Sequence, residues 1–263
     1  MGPCPRHGAA PYRVAVVHGG PGAPGEMAPL ARALARDRGI LEPHQSERSL
    51  EGQVRELRDQ LERWATPPVT LIGFSWGAWL AWILAARHEP LIGKLILVGS
   101  GSFEERYAEG MLEARLARLQ PAERAEVERL RRRLEDPARQ GHDETFARFG
   151  ELLSRADSYD PLPGEDDEVL APEAGVFRGV WPQAAEWRRS GRLLELAERI
   201  RCPVVAIHGE HDPHPAAGVR EPLAAVLEEF RFVLLPRCGH KPWIERHARA
   251  AFFDALAGEL RDA

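Results

Sequence analysis

Residues 69–87 read Val-Thr-Leu-Ile-Gly-Phe-Ser-Trp-Gly-Ala-Trp-Leu-Ala-Trp-Ile-Leu-Ala-Ala-Arg. Val69 to Ile72 is a short β-branched and apolar run, the mark of a strand buried on both faces. Trp76 to Arg87 is apolar nearly all round, which predicts a buried helix. Between them stands Ser75, flanked by Gly73 and Gly77. A strand that turns at once into a helix lifts the corner residue above the sheet. Glycines on either side remove the Cβ atoms that would clash in so tight a turn. The pattern G-x-S-x-G in this setting predicts a nucleophilic serine at position 75. The amino end of the following helix favours negative charge developing close by.

Working outward, the same alternation repeats. Tyr12–Val17, Gly39–Pro43, Lys94–Val98, Pro203–Ile207 and Arg231–Leu235 read as further strands, about six in all with the first. Helical periods cover Met27–Arg38, Leu50–Trp64, Glu221–Glu228 and Ile244 to about Leu260. Strands apolar on both faces, alternating with helices, predict an α/β fold: a mainly parallel sheet flanked by helices. Between Gly99 and about Gly191 strand signals vanish and charge rises. Met111–Leu119, Pro121–Glu135 and Ala184–Ile200 read as helices, and the acidic, Pro-rich stretch Pro161–Pro172 as a loop. This predicts a helical cap over residues 103–191, inserted after the strand ending near Val98. Residues 1–102 and 192–263 form the core.

A serine hydroxyl needs a positioned base. Among ten histidines, His240 follows the last strand, and Asp212 follows the strand before it. Both are then expected at the carboxyl edge of the sheet, with Ser75, where open α/β sheets place their ligand sites. His240 is the candidate base and Asp212 its orienting carboxylate, with Glu210 as the fallback acid. His18-Gly19-Gly20-Pro21-Gly22, after the first strand, can aim a backbone N–H at the same place. Gly20, with Gly19 second, and Trp76 are the candidate oxyanion donors. A phosphate cradle, the rival reading of this loop, is not favoured, because G-x-x-x-x-G-K-[ST] is absent.

Composition narrows the function. The chain has 263 residues, 44% of them apolar, and a formal charge of −5. That suits a large core and disfavours a nucleic-acid partner, which calls for a basic face. The longest apolar run, Trp76 to Ala86, is 11 residues, short of the roughly 20 that span a bilayer. No secretory leader stands in Met1–Tyr12, so a cytoplasmic protein without a membrane partner is expected. Cys4, Cys202 and Cys238 do not make a disulfide framework, although Cys238 stands two residues before His240 and its reactivity is open. His208, His211, Asp212 and His214 match no metal-binding spacing, so neither a metal nor a cofactor is expected. His44 and His88 read as surface residues.

These residues carry a resemblance. The chain resembles a capped α/β-hydrolase over nearly its whole length. His18-Gly19-Gly20-Pro21-Gly22 together with Ser75-Trp76-Gly77 is similar to the proline iminopeptidase branch. The resemblance implies a Ser75–His240–Asp212 triad, no cofactor, and a cap that shapes the pocket. Three features depart from that branch. No E-N-H-Y-F-like segment lies between Gly99 and Arg201, leaving Glu173 and Glu186 as substitutes for the carboxylates that read a free amine. Gly73-Phe74 stands where that branch has Gly-Gly. The first strand begins so early that the leading antiparallel hairpin is expected to be missing. Trp181, Trp187 and Trp243 are candidate pocket-lining residues, with Trp181 and Trp243 preferred as substrate contacts. The expected function is acyl transfer from a small ester, thioester or amide, on a small-molecule or short-peptide substrate, by a monomer or homodimer. An aminopeptidase and a non-catalytic binding protein on the same fold are the alternatives.

Overall fold

The computed structural model describes residues 2–136, 142–163 and 172–261. Its centre is a seven-stranded sheet in the order β1-β3-β2-β4-β5-β6-β7. The strands are β1 (Arg6–His7), β2 (Tyr12–Val17), β3 (Gly39–Leu41), β4 (Val69–Phe74), β5 (Ile92–Val98), β6 (Val204–Gly209) and β7 (Phe230–Leu235). All neighbours run parallel except β1, which pairs antiparallel with β3 through Arg6–Leu41 and His7–Ile40. The six expected strands are therefore present. The seventh is a two-residue remnant where no antiparallel strand was expected.

Helix α1 (Ala28–Leu34) carries the chain from β2 outward to β3, and α2 (Leu50–Trp64) brings it back to β4. From β4, α3 (Trp76–Arg87) leads the other way, to β5. The direction of winding thus reverses between β2 and β4. Open sheets of this kind place their ligand crevice at such a switch point, outside the carboxyl ends of the two strands.

Alternation along each strand sorts the core into two layers. Ala15, Val17, Leu71, Leu95 and Ala206 face α2, α3 and α7 (Ala174–Arg189). Val14, Val16, Ile72, Ile96 and Ile207 face α1 and α10 (Arg249–Glu259). Helix α3 is buried from Trp76 to Ala86, as its all-round apolarity requires. Its three indoles each find an acceptor: Trp76 on Gln53 Oε1 (3.0 Å), Trp79 on Gly101 O (3.0 Å) and Trp82 on Leu193 O (2.9 Å).

The segment between β5 and β6 is helical, as expected, but in different pieces. It contains α4 (Met111–Ala117), α5 (Pro121–Glu135), α6 (His142–Asp157), α7 and α8 (Arg192–Glu195). Helix α6 has no counterpart in the sequence reading, and the expected helix Ala184–Ile200 is broken by Gly191 at φ +81°. Residues 164–171 of the expected acidic loop lie outside the described residues. Leu119, Val127, Leu130, Leu152 and Ala156 form a small core of their own within this segment, whereas α7 packs into the main core. Helix α9 (Ala217–Val226) joins β6 to β7. Among the described residues, no helix is long and apolar enough to cross a membrane.

Candidate active site

Ser75 stands at φ 51°, ψ −114°, a strained backbone region that residues with side chains rarely occupy. The corner is tight enough to exclude any methyl group. A Cβ on Gly73 would lie 2.3 Å from Gly77 O, and one on Gly77 would lie 2.4 Å from Val17 O and 2.5 Å from His18 O. The start of α3 is thereby pressed against the end of β2. The Ser75 N–H donates to Val98 O at 3.0 Å, which ties the corner to β5.

Asp212 and His240 come from the loops after β6 and β7, one strand pair further along the same edge. His240 Nδ1 lies 2.7 Å from Asp212 Oδ2. Both residues are buried. Asp212 is acceptor-only, so Nδ1 carries the hydrogen and Nε2 is the basic nitrogen. The ring packs on Phe74, the residue before Ser75, at 4.7 Å between centroids. It also lies against Gly99, just past Val98. The imidazole is therefore beside the serine corner. Burial pushes the His240 pKa down, but the charge and hydrogen bond of Asp212 outweigh it and hold the pKa above 6.5. Burial would likewise raise Asp212, yet the surrounding imidazoles keep its carboxyl far below the usual range. Glu210, the fallback acid, is exposed and accepts the Arg237 N–H instead.

The loop after β2 is held by His18. Its Nδ1 lies 2.8 Å from Gly19 O, and its Nε2 accepts the Gln45 N–H at 3.3 Å. One tautomer alone satisfies both contacts: neutral, with hydrogen on Nδ1. Burial keeps it neutral by lowering its pKa. In a trans peptide the carbonyl and the next N–H point in opposite directions. Pinning Gly19 O on His18 therefore turns the Gly20 N–H away from it. Among the described residues, no acceptor is found for the Gly20 or the Trp76 N–H.

The other loops are laced together. Lys241 Nζ pairs with Glu26 Oε1 at 3.0 Å, linking the loop after β7 to that after β2. His240 N–H donates to Asp157 O at 2.9 Å, and Asp157 in turn holds Arg115 through two 2.7 Å contacts. The buried Glu245 accepts the N–H groups of Gly239, Tyr159 and Asp160 at 2.8–2.9 Å. Glu173 N–H donates to Gly22 O at 2.8 Å. The inserted helices are thus attached at the carboxyl edge on both sides of the crevice.

Several expectations change. Trp243 is not at a surface. It is fully buried, edge-on to Phe74 at 4.8 Å, inside the α1–α10 layer. Trp181 stacks between Trp79 and Phe177, both centroid distances being 5.9 Å, and serves to seat α7 on α3. Trp187 is buried in the same layer. His44 is buried too, edge-on to His18 and 3.3 Å from Glu42 Oε1; His88 is half-buried. Cys238 is buried with its thiol pKa pushed up, the opposite of a reactive cysteine. Glu186 lies on the exposed side of α7, paired with Arg189. The roles of His18, Asp157 and Glu245 left no mark in the sequence pattern.

The family model described as alpha/beta hydrolase fold matches residues 12–246. The chain belongs to this family. A stretch of 105 residues is 30% identical to the pimeloyl-[acyl-carrier protein] methyl ester esterase of Nitrosomonas europaea, covering 36% of this chain and 42% of that protein. Among solved structures, a carboxylesterase from Nitrososphaera gargenis aligns with a TM-score of 0.63 at 18% identity, covering 98% of this chain and 93% of that one. The proline iminopeptidase of Mycobacterium smegmatis aligns with a TM-score of 0.61 at 17% identity, again over 98% and 93%. At such identities the structural likeness concerns the fold.

Proposed function

We propose that the chain is a serine hydrolase that cleaves a small ester, thioester or amide through an acyl-enzyme. The observation that carries this reading is the 2.7 Å contact of Asp212 with His240 Nδ1, beside a serine in a strained strand-to-helix corner. His240 Nε2 takes the Ser75 proton as the oxygen attacks the substrate carbonyl. Asp212 holds the ring in one tautomer and stabilises the imidazolium. The Gly20 and Trp76 N–H groups receive the oxyanion, each contributing on the order of 3 kcal/mol. His240 then passes its proton to the leaving group, and water repeats the sequence to release the acid. The inserted helices act as a cap over this edge. An ester is preferred over an amide because the relative of similar sequence is named a methyl ester esterase. The proline iminopeptidase branch is not favoured, since Glu186 is engaged on an outer face.

A fluorophosphonate probe tests the proposal. The wild-type chain should be labelled and Ser75→Ala should not. Equal labelling of both would reject Ser75, and no labelling together with no turnover of p-nitrophenyl esters would favour a non-catalytic binding protein. Turnover of Pro- or Ala-β-naphthylamides in preference to esters would restore the aminopeptidase.

A further inference from the structure

The spacing of His208, His211, Asp212 and His214 gives no reason to expect a metal, but the fold changes the set. His211 turns away, edge-on to Tyr159. His240 enters from the next loop. One ligand atom from each of Asp212, His214 and His240 lies within 4.8 Å of the other two, and all three residues are buried.

His214 is the member without an assigned role. It is 8% exposed. Its backbone is used: the N–H donates to Asp212 Oδ1 at 2.9 Å, and the carbonyl faces His208 Nε2 at 2.8 Å. Its ring has no hydrogen-bond partner among the described residues, and it lies tilted against the His240 ring at 5.0 Å between centroids. The ring thus stands beside the base and its carboxylate, with one nitrogen close to both.

We infer that Asp212, His214 and His240 bind a divalent transition-metal ion of the zinc type, and that the bound ion switches the hydrolase off. Binding stands on the geometry alone; the inhibitory consequence rests on the function proposed above. Two imidazoles and one carboxylate are a zinc donor set. Tetrahedral zinc with ligands at about 2.0–2.2 Å separates its donor atoms by about 3.4 Å. The 2.7 Å contact must open slightly and His214 must close by a rotation. A metal on His240 Nε2 occupies the lone pair that takes the Ser75 proton. On Nδ1 it displaces the hydrogen shared with Asp212. Either way the base is lost.

The chain is titrated with zinc in buffered solution, with calorimetry reading binding and the fluorophosphonate probe reading Ser75. One ion should bind per chain in the micromolar range or tighter, labelling should slow, and EDTA should restore it. His214→Leu and His214→Asn, each checked for an unchanged melting transition, should keep zinc-free labelling. Their zinc midpoint should rise about tenfold or more. Equal zinc protection in the wild type and both variants, or no stoichiometric binding, overturns the site. Zinc binding that depends on His214 in a chain that never reacts with the probe supports the site and rejects the hydrolase. Stoichiometric zinc binding that leaves labelling unchanged keeps the site and overturns the switch; labelling without zinc binding keeps the hydrolase and overturns the site.

Discussion

Adding one methyl group at Gly77 tests how the serine corner is built. The new Cβ would meet Val17 O at 2.4 Å and His18 O at 2.5 Å. Both atoms are backbone, at the end of β2, so no side chain can swing aside. An ordinary contact of 3.4–4 Å demands that α3 and β2 separate by about 1.0–1.6 Å in a close-packed interior. Overpacking of this kind costs about 1–3 kcal/mol. The functional cost is larger, because the contact joins the two walls of the crevice. Trp76 rides on α3, and Gly20 follows β2. Moving them apart by that distance removes the grip of one N–H on the oxyanion, about a hundredfold or more in rate. Gly150→Ala is the control. It lies on the exposed side of α6 with nothing within 4 Å of its Cβ, so it should stabilise by about 0.5–1 kcal/mol. Urea denaturation and the labelling rate by the fluorophosphonate probe read both variants. If Gly77→Ala keeps wild-type stability and labelling, the close approach of α3 to β2 does not build the site, and the argument fails.

His18→Ala should lower kcat by about ten- to a hundredfold with a smaller change in KM, because it frees the Gly19 carbonyl and the Gln45 N–H and lets the Gly20 N–H turn. Steady-state ester hydrolysis reads it; an unchanged kcat refutes the pinning. Asp212→Asn should cost about 10⁴ in kcat and move the acid limb of kcat/KM downward, since the charge that raises His240 is gone while its burial remains. An acid limb that stays put would contradict this. The same pair sets a stability window. The raised His240 contributes fully below its unfolded value near 6.5 and is lost as pH climbs through its folded value. The depressed Asp212 contributes above its unfolded value and is lost only in strong acid. Glu245→Gln replaces one acceptor oxygen by a donor facing backbone N–H groups, at a cost of about 1–3 kcal/mol by chemical denaturation. No loss would mean that the strap does not depend on the carboxylate.

Periodicity made part of this molecule legible. Helices α2, α3 and α5 end where their apolar patterns and capping residues end: Ser49 caps α2 on Gly52 N–H at 3.1 Å, and Pro121 opens α5. Strand β1 was illegible because Arg6-His7 has no pattern of its own; β3 lends it structure. Helix α6 hid behind charge, because only its inner stripe, with Leu152 and Ala156, meets a core. Trp181 and Trp243 show a different limit. A sequence says that a side chain is large and apolar, but not which layer it enters. Asp212 and His240 could be found as candidates because each follows a strand of a parallel sheet, which fixes the edge they occupy. The parts played by His18 and Glu245 could not, since a bond between two loops has no period.

The insertion is fastened in two physically different ways, and this bears on how the crevice opens. Helix α7 is part of the core: Val176, Val180 and Ala184 are buried against α2 and α3, and Trp181 extends the stack on Trp79. Displacing it would expose that apolar surface, at about 25 cal/mol per Å². The segment from Asp157 to Leu162 is held by polar contacts instead: Asp157 O to His240 N–H, Glu245 to two N–H groups, and Leu162 N–H to Ile244 O at 2.8 Å. Water can replace each of these at a net cost of about 1 kcal/mol. Helices α4–α6 stand between, with a small core that would travel with them. Displacing the insertion would therefore cost least at the polar strap, not at α7. Because the strap includes the acceptor of the His240 N–H, opening there disturbs the base directly. If the chain is the hydrolase proposed above, substrate entry at this strap would be coupled to the alignment of His240 through one carbonyl oxygen, that of Asp157.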